Sequence, residues 1–273
     1  MEKIQNEYGK SLRRICRQMH QIMMAAYHDK IVPLIREYDT RKKKLAINSS
    51  REMRRLLERY TSMIEVEIET AMLAIEELWQ PIVIADVVRQ FTETMSEIQR
   101  RILLTEILEQ TGVLPDLYNL NEGVEQIVYE YEKNNLDFLP ETIAPEYGSR
   151  VRDRIMDAVR VGAGLIAIGA LVNECYQIAQ RRAENIAVDQ TYEMYQVLCE
   201  VRQTNLGIDS FVWLTMEDNA VRPSHARLHG RVFSWAEGAK GAGKDGQDIW
   251  PGGHAPDEGD WGCRCINMPY IED

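Results

Sequence analysis

The chain of 273 residues contains no apolar run long enough to cross a bilayer. A spanning helix needs about 20 such residues. The longest run here, Val161-Gly-Ala-Gly-Leu-Ile-Ala-Ile-Gly-Ala-Leu-Val172, has twelve. It reads as a core helix that uses glycine for close approach. The opening residues, Met1-Glu2-Lys3-Ile4-Gln5-Asn6-Glu7, have no apolar segment of the kind a secretory signal requires, so none is expected. Cysteine is scarce: five residues, an odd number scattered through a mainly helical pattern, do not make a disulfide framework and point to a reducing, intracellular site of synthesis. A phosphate-cradling loop is missing, because Gly162-Ala-Gly164 lacks the lysine of a P-loop. A clustered set of carboxylates for a metal-dependent nuclease is also missing. Glu65, Glu67 and Glu69 sit two apart, which scatters them around a helix.

The apolar share of 45% suits a folded globular chain. The net charge of −11 is unevenly spread. Residues 1–60 hold fifteen Lys/Arg against seven Asp/Glu, and the remainder seventeen against thirty-six, so the first part is +8 and the rest −19. Arg41-Lys42-Lys43-Lys44 and the four arginines of 51–59 could meet nucleic acid or an acidic protein surface, or form the solvated faces of amphipathic helices. An acidic protein is a poor general DNA binder, because phosphate contacts supply that affinity.

Ile4, Tyr8, Leu12, Ile15, Met19, Ile22 and Ala26 recur at steps of three and four, which predicts a helix over 2–30. Pro33 permits a break. Asn48-Ser49-Ser50 offers an N-cap, and one stripe then runs from Met53 to Leu78. Pro81 can end that helix, and another runs from about 82 to 110 and stops at Thr111-Gly112. Residues 111–148 are punctuated by Pro115, Gly123, Pro140, Pro145 and Gly148, which predicts short segments, with 123–133 helical, and a seam. Ser149 can cap a further helix, and another follows Gly169 to about Cys199. Long amphipathic helices bury their stripes against each other or a partner, so an extended or coiled-coil-like bundle is expected.

At Gly207 the period changes. Phe211–Met216 and Val232–Trp235 read as strands, Pro223 and Gly230 frame a short helix, 237–260 is a long loop, and 264–270 forms a last strand. This short tail concentrates the chemistry: three of five histidines and two of five cysteines lie between Trp213 and Cys265. Cys263, Cys265 and His225, with either His229 or His254, could hold a tetrahedral structural zinc, a device small units use when their core is thin. Two other readings compete. Asp218, Arg222 and His225 could instead stitch turns together while the thiols pack as small buried groups. Or His225, Asp218 and Cys263 could act as base, orienter and nucleophile of a Cys/His-dependent hydrolase.

The ordered set Trp213, Thr215, Asp218, Val221, Arg222, His225, Leu228, Gly230, Phe233, Pro251, Gly252, Cys263, Arg264 and Cys265 resembles the phage Mu F-like family of head morphogenesis, or minor capsid, proteins. The upstream Arg182–Gln190 stretch and Arg202 also look familial, so the resemblance covers roughly 150–270. The chain is thus read as mainly α, with a long-helix body (1–148), a helical part of the Mu F-like region (149–205) and a small α+β C-terminal domain (206–273). The resemblance implies a non-enzymatic minor component of a tailed-phage head, made in the bacterial host cytoplasm and placed in the head interior or at the portal vertex. The expected partners are the portal protein and capsid or scaffold proteins, DNA through Arg41, Lys42, Lys43 and Lys44, and further copies through the helices. Some relatives carry a toxin domain after this module; with eight residues following Cys265, none is expected here.

Overall fold

The computed structural model describes residues 1–45, 50–243, 246–253 and 262–272. The fold is mainly α, with one small sheet near the C-terminus. The first helix, α1 (Glu2–Ala26), buries the predicted Ile4, Tyr8, Leu12, Ile15 and Met19. A π-helical turn, Tyr27–Ile31, leads into α2 (Val32–Lys44). Its position follows from Pro33, whose ring crowds the carbonyl four residues back, here Asp29 inside the widened turn. The helix α3 (Ser50–Leu78) buries Tyr60, Ile64, Ile68, Ala71 and Ile75, its predicted stripe. Asn48 and Ser49 of the proposed cap lie outside the described residues. Pro81 starts α4 (Pro81–Thr111), and Gly112 ends it with φ +70°. A single turn, α5 (Leu117–Leu120), is capped by the Asp116 side chain, which accepts from Tyr118 N–H at 2.9 Å.

The structure corrects two sequence expectations. The segment predicted to be choppy holds one helix, α6 (Val124–Arg160), which runs through Pro140 and Pro145 and past Ser149. Each interior proline costs about 3 kcal/mol in a helix. Here Leu139, Ile143, Ala144, Tyr147, Val151 and Ile155 are all buried at helical spacing. At about 1.5–3 kcal/mol for each large apolar side chain enclosed, that stripe outweighs the prolines. The apolar run 161–172 is not one helix either. Gly162, with φ +75°, closes α6, and α7 (Leu165–Asn205) begins inside the run. Close approach does occur at Gly169, where an added Cβ would lie 3.4 Å from the Tyr27 ring.

The chain divides into two compact units that are not consecutive in sequence. One comprises Lys10–Ala85 and Leu136–Glu184. Within it the Tyr27 hydroxyl donates to Leu165 O at 2.5 Å, and Tyr38 and Tyr60 sit 5.7 Å apart. The other comprises Met1–Gly9, Asp86–Asn135 and Asn185–Asp273. There Tyr8 stacks on Phe91 at 4.1 Å and donates to Gln190 Oε1 at 2.6 Å. Arg202, 1% exposed, donates to Ser96 O at 2.8 Å, to Ser96 Oγ at 2.9 Å and to Gln99. Burial lowers its pKa to about 10.

The same unit holds the sheet. Strands β1 (Ser210–Leu214), β2 (Val232–Ser234) and β3 (Ile266–Pro269) pair antiparallel in the order β2-β1-β3, with Phe211 opposite Phe233 and Trp213 opposite Asn267. Phe211 and Trp213 alternate inward and are fully buried. Between β1 and β2 lies the short helix α8 (Pro223–Ala226). Gly230 returns the chain to β1 with φ +75°, its N–H donating to Trp213 O at 2.8 Å. No helix among the described residues is long and apolar enough to cross a membrane.

Candidate metal centre

Three of the five residues predicted as zinc ligands converge. The ligand atoms of His225, Cys263 and Cys265 all lie within 4.8 Å of one another, and the residues are 2%, 3% and 4% exposed. Pro223 opens α8 and sets His225 near its end, where Trp213 packs edge-on at 5.6 Å and 87°. Cys263 and Cys265 lie on the segment entering β3. In extended chain residues two apart share a face, so the Cys-x-Cys spacing turns both thiols inward. Arg264 between them donates to both Asp218 oxygens at 2.9 and 2.6 Å. The helix α7 secures this segment at both ends. Asp189 accepts from Gly262 N–H at 2.7 Å, and Gln196 donates to Cys265 O at 3.2 Å.

The electrostatics favour a thiolate. The Cys263 thiol is pulled down to about 5, first by its hydrogen bond with Cys265 and then by His225, against the opposing effect of burial. Cys265 is pushed up by that same shared hydrogen bond and by burial. The two thiols thus lose their first proton as a pair and hold the second between them. The indole N–H of Trp213 is buried and has no hydrogen-bond partner among the described residues. It lies where it lowers the cost of charge on Cys265. A second thiolate would give that orphaned donor an acceptor.

The geometry fits zinc. Zn–N of about 2.0–2.1 Å and Zn–S of about 2.3 Å at a tetrahedral angle separate N and S by about 3.5 Å. His225 Nδ1 lies 3.5 Å from Cys263 Sγ and 3.5 Å from Cys265 Sγ. Bound there, zinc would supply a structural cross-link between α8 and the start of β3. His229 is placed elsewhere: its Nδ1 accepts from Thr215 N–H at 3.1 Å and lies 2.9 Å from Thr215 Oγ1. His254 lies outside the described residues.

Of the proposed hydrolase set, His225 and Cys263 meet at 3.5 Å. Asp218 is held by Arg264 and by Ala220 N–H at 3.0 Å, and the Arg264 contact lowers its pKa. The cavity beside the cysteines measures about 20 Å³, room for about one water. Asp218 stitches its own turn by accepting from Ala220 N–H, as expected, and its ion pair is with Arg264. Of the basic stretch, Arg41 pairs with Glu37 at 2.6 Å, and Lys42 lies over the Tyr38 ring.

Sequence reasoning missed a buried amide relay behind the centre. Trp235 Nε1 donates to Gln203 at 3.0 Å, Gln203 donates to Asn267 at 2.7 Å, and Asn267 donates to Gln196. The available signal was the seven-residue spacing of Gln196 and Gln203, which puts two amides on one face of α7 amid Tyr195, Leu198 and Cys199.

A strand-turn-helix unit braced by a buried Cys₂His cluster and clamped to a long helix defines a small structural domain. Its sequence matches a known family: residues 149–268 fit the model of Phage Mu protein F like protein, in line with the resemblance carried by Trp213 to Cys265. A curated relative from Haemophilus influenzae, described as "Uncharacterized protein", is 24% identical over 169 residues. The match covers 62% of this chain and 35% of the relative, so the chain spans about a third of that protein's length. No solved structure matches the chain.

Proposed function

We propose that the chain is a minor head protein of a tailed bacteriophage, associated with the portal and acting in head morphogenesis and in DNA packaging or delivery. The observation that carries this is the family match over 149–268, in which the motif residues brace one another. The burial of the metal-capable cluster supports a non-enzymatic role. Zinc on His225, Cys263 and Cys265 serves as a fastener, with His254 the candidate fourth ligand. The helices supply partner surfaces in the manner of a helix laid into a groove, and they can also join copies of the chain. Arg41, Lys42, Lys43 and Lys44, in the last turn of α2, face an acidic portal or capsid surface or packaged DNA. The working location is the head interior or portal vertex. The test is co-purification from phage-producing cells. Portal protein retained through moderate salt supports the reading, and a chain recovered without any head protein overturns it.

A further inference from the structure

The C-terminal domain carries a second feature, which borders the metal centre through His225. Beside α8 and β2 lies a cleft of about 660 Å³, within the range of roughly 300–1,000 Å³ typical of ligand sites. Among the described residues, every charged side chain lining it, apart from the ionisable His225, is a cation: Arg222, Arg227, Arg231 and Lys240. Residues 206–273 hold six Lys/Arg against eleven Asp/Glu, so four of the six cations of an acidic domain surround one cleft. Among the described residues neither Arg227 nor Arg231 has a carboxylate within 4.0 Å. Lys240 is paired with Glu237 at 2.6 Å, and Asp248 caps Gly241 N–H at 2.8 Å, so these two acids are already engaged. One wall is different in kind. Phe233, with the Arg231 guanidinium 5.7 Å over its ring, lines the cleft together with Leu228.

We propose that this cleft binds the phosphate ester of a nucleic-acid strand, with Arg227 and Arg231 as the principal phosphate contacts and the Phe233 and Leu228 wall receiving the attached base. Arginine is suited to phosphate because its planar fork donates two parallel hydrogen bonds. Base stacking on an aromatic face or a guanidinium plane tolerates any sequence, so the site reads the backbone and not the order of bases. The cations flank α8 at its two ends, sit in the turn before β2 and lie on the loop after β2, so a ligand engaging all of them would tie these segments together. This inference goes beyond the head-protein reading and does not need it, since it rests on the lining of the cleft.

The test uses the full-length chain and a fluorescent oligothymidylate of about twelve nucleotides, measured by anisotropy, with the matching duplex, thymidine monophosphate and inorganic phosphate as competitors. Three or four phosphate contacts on single strands give log K a slope of about −2 to −3 against log salt. R227Q/R231Q should weaken strand binding about tenfold or more and reduce that slope by about 1.4, while R227K/R231K stays within about threefold of the parent. Both arginines are exposed, so these changes leave the fold intact. Neutralising Arg41, Lys42, Lys43 and Lys44 together should leave the residual slope above that of R227Q/R231Q. Equal binding by R227Q/R231Q and the parent overturns the proposal. So does competition by inorganic phosphate with no measurable affinity for the strand, which would make the cleft a free-anion site.

Discussion

The Trp213 indole is fully enclosed and its N–H has no partner among the described residues, a condition that costs about 1–3 kcal/mol when the donor is simply left bare. A metal-bound Cys265 sulfur would relieve it, because outer hydrogen bonds to a ligand tune its charge and typically change metal affinity 10- to 100-fold. W213F keeps the apolar ring and removes only the donor. Competition with a chromophoric chelator should show zinc held about tenfold more weakly, with the metal-free stability nearly unchanged or improved. A drop of equal size with and without metal would make the N–H irrelevant to the sulfur.

Glu106 offers an independent reading in pH. Burial, and then the neighbouring Glu109, raise its carboxyl from 4.5 to about 7 in the folded chain. Between those values the folded state binds more protons than the unfolded one, so stability declines as pH rises from about 4.5 to 7 and then levels off. E106Q should remove that decline, which is of the order of 1–3 kcal/mol. Urea midpoints at pH 5 and pH 8 check it: the parent should lose stability across the interval relative to the variant. Parallel pH profiles would contradict the shift.

Among the elements, α6 shows most plainly what a sequence hides. Pro140, Pro145 and Gly148 each carry a local signal against helix, and the choppy prediction followed those signals. The burial stripe from Leu139 to Ile155 has the same three-and-four spacing that made α1 and α3 legible, but its weight depends on what packs against it. Pro145 is exposed, so P145A removes a ring clash and restores a backbone donor without touching the core. A gain of about 1–3 kcal/mol is expected in urea unfolding. The turn Pro251–Gly253 behaves in the opposite way. Gly252 has φ +73°, and a Cβ there would lie 2.8 Å from Tyr192 O and 2.4 Å from the Gln196 side chain, on α7. G252A therefore combines backbone strain with overpacking, a cost of about 2–5 kcal/mol. The same unfolding assay measures it. In the tail, strands, turn glycines and ligand types were readable because each is local chemistry. The amide relay through Gln196, Gln203 and Asn267 was not, because it depends on which helix face meets β3.

At the scale of the whole chain, metal and fold should be linked. The ligands are deprotonated groups that meet only in the folded domain, so binding energy is folding energy. The purified protein should carry zinc in equimolar amount, and chelation or C263S should lower the melting temperature of the C-terminal domain by several degrees, followed by far-UV and tryptophan signals. Full retention of the melting profile after complete metal removal would dismiss the fastener.

His225 and Cys263 are 38 residues apart in sequence, so metal at this centre closes a ring of chain comparable to one sealed by a disulfide. Ring closure grows only logarithmically with length, and doubling the enclosed segment costs about 0.6 kcal/mol. Evolution could therefore lengthen or re-letter the stretch between β2 and β3 at small thermodynamic penalty. The clasp makes that stretch a place where length can vary, and the practical place to graft a peptide epitope for display.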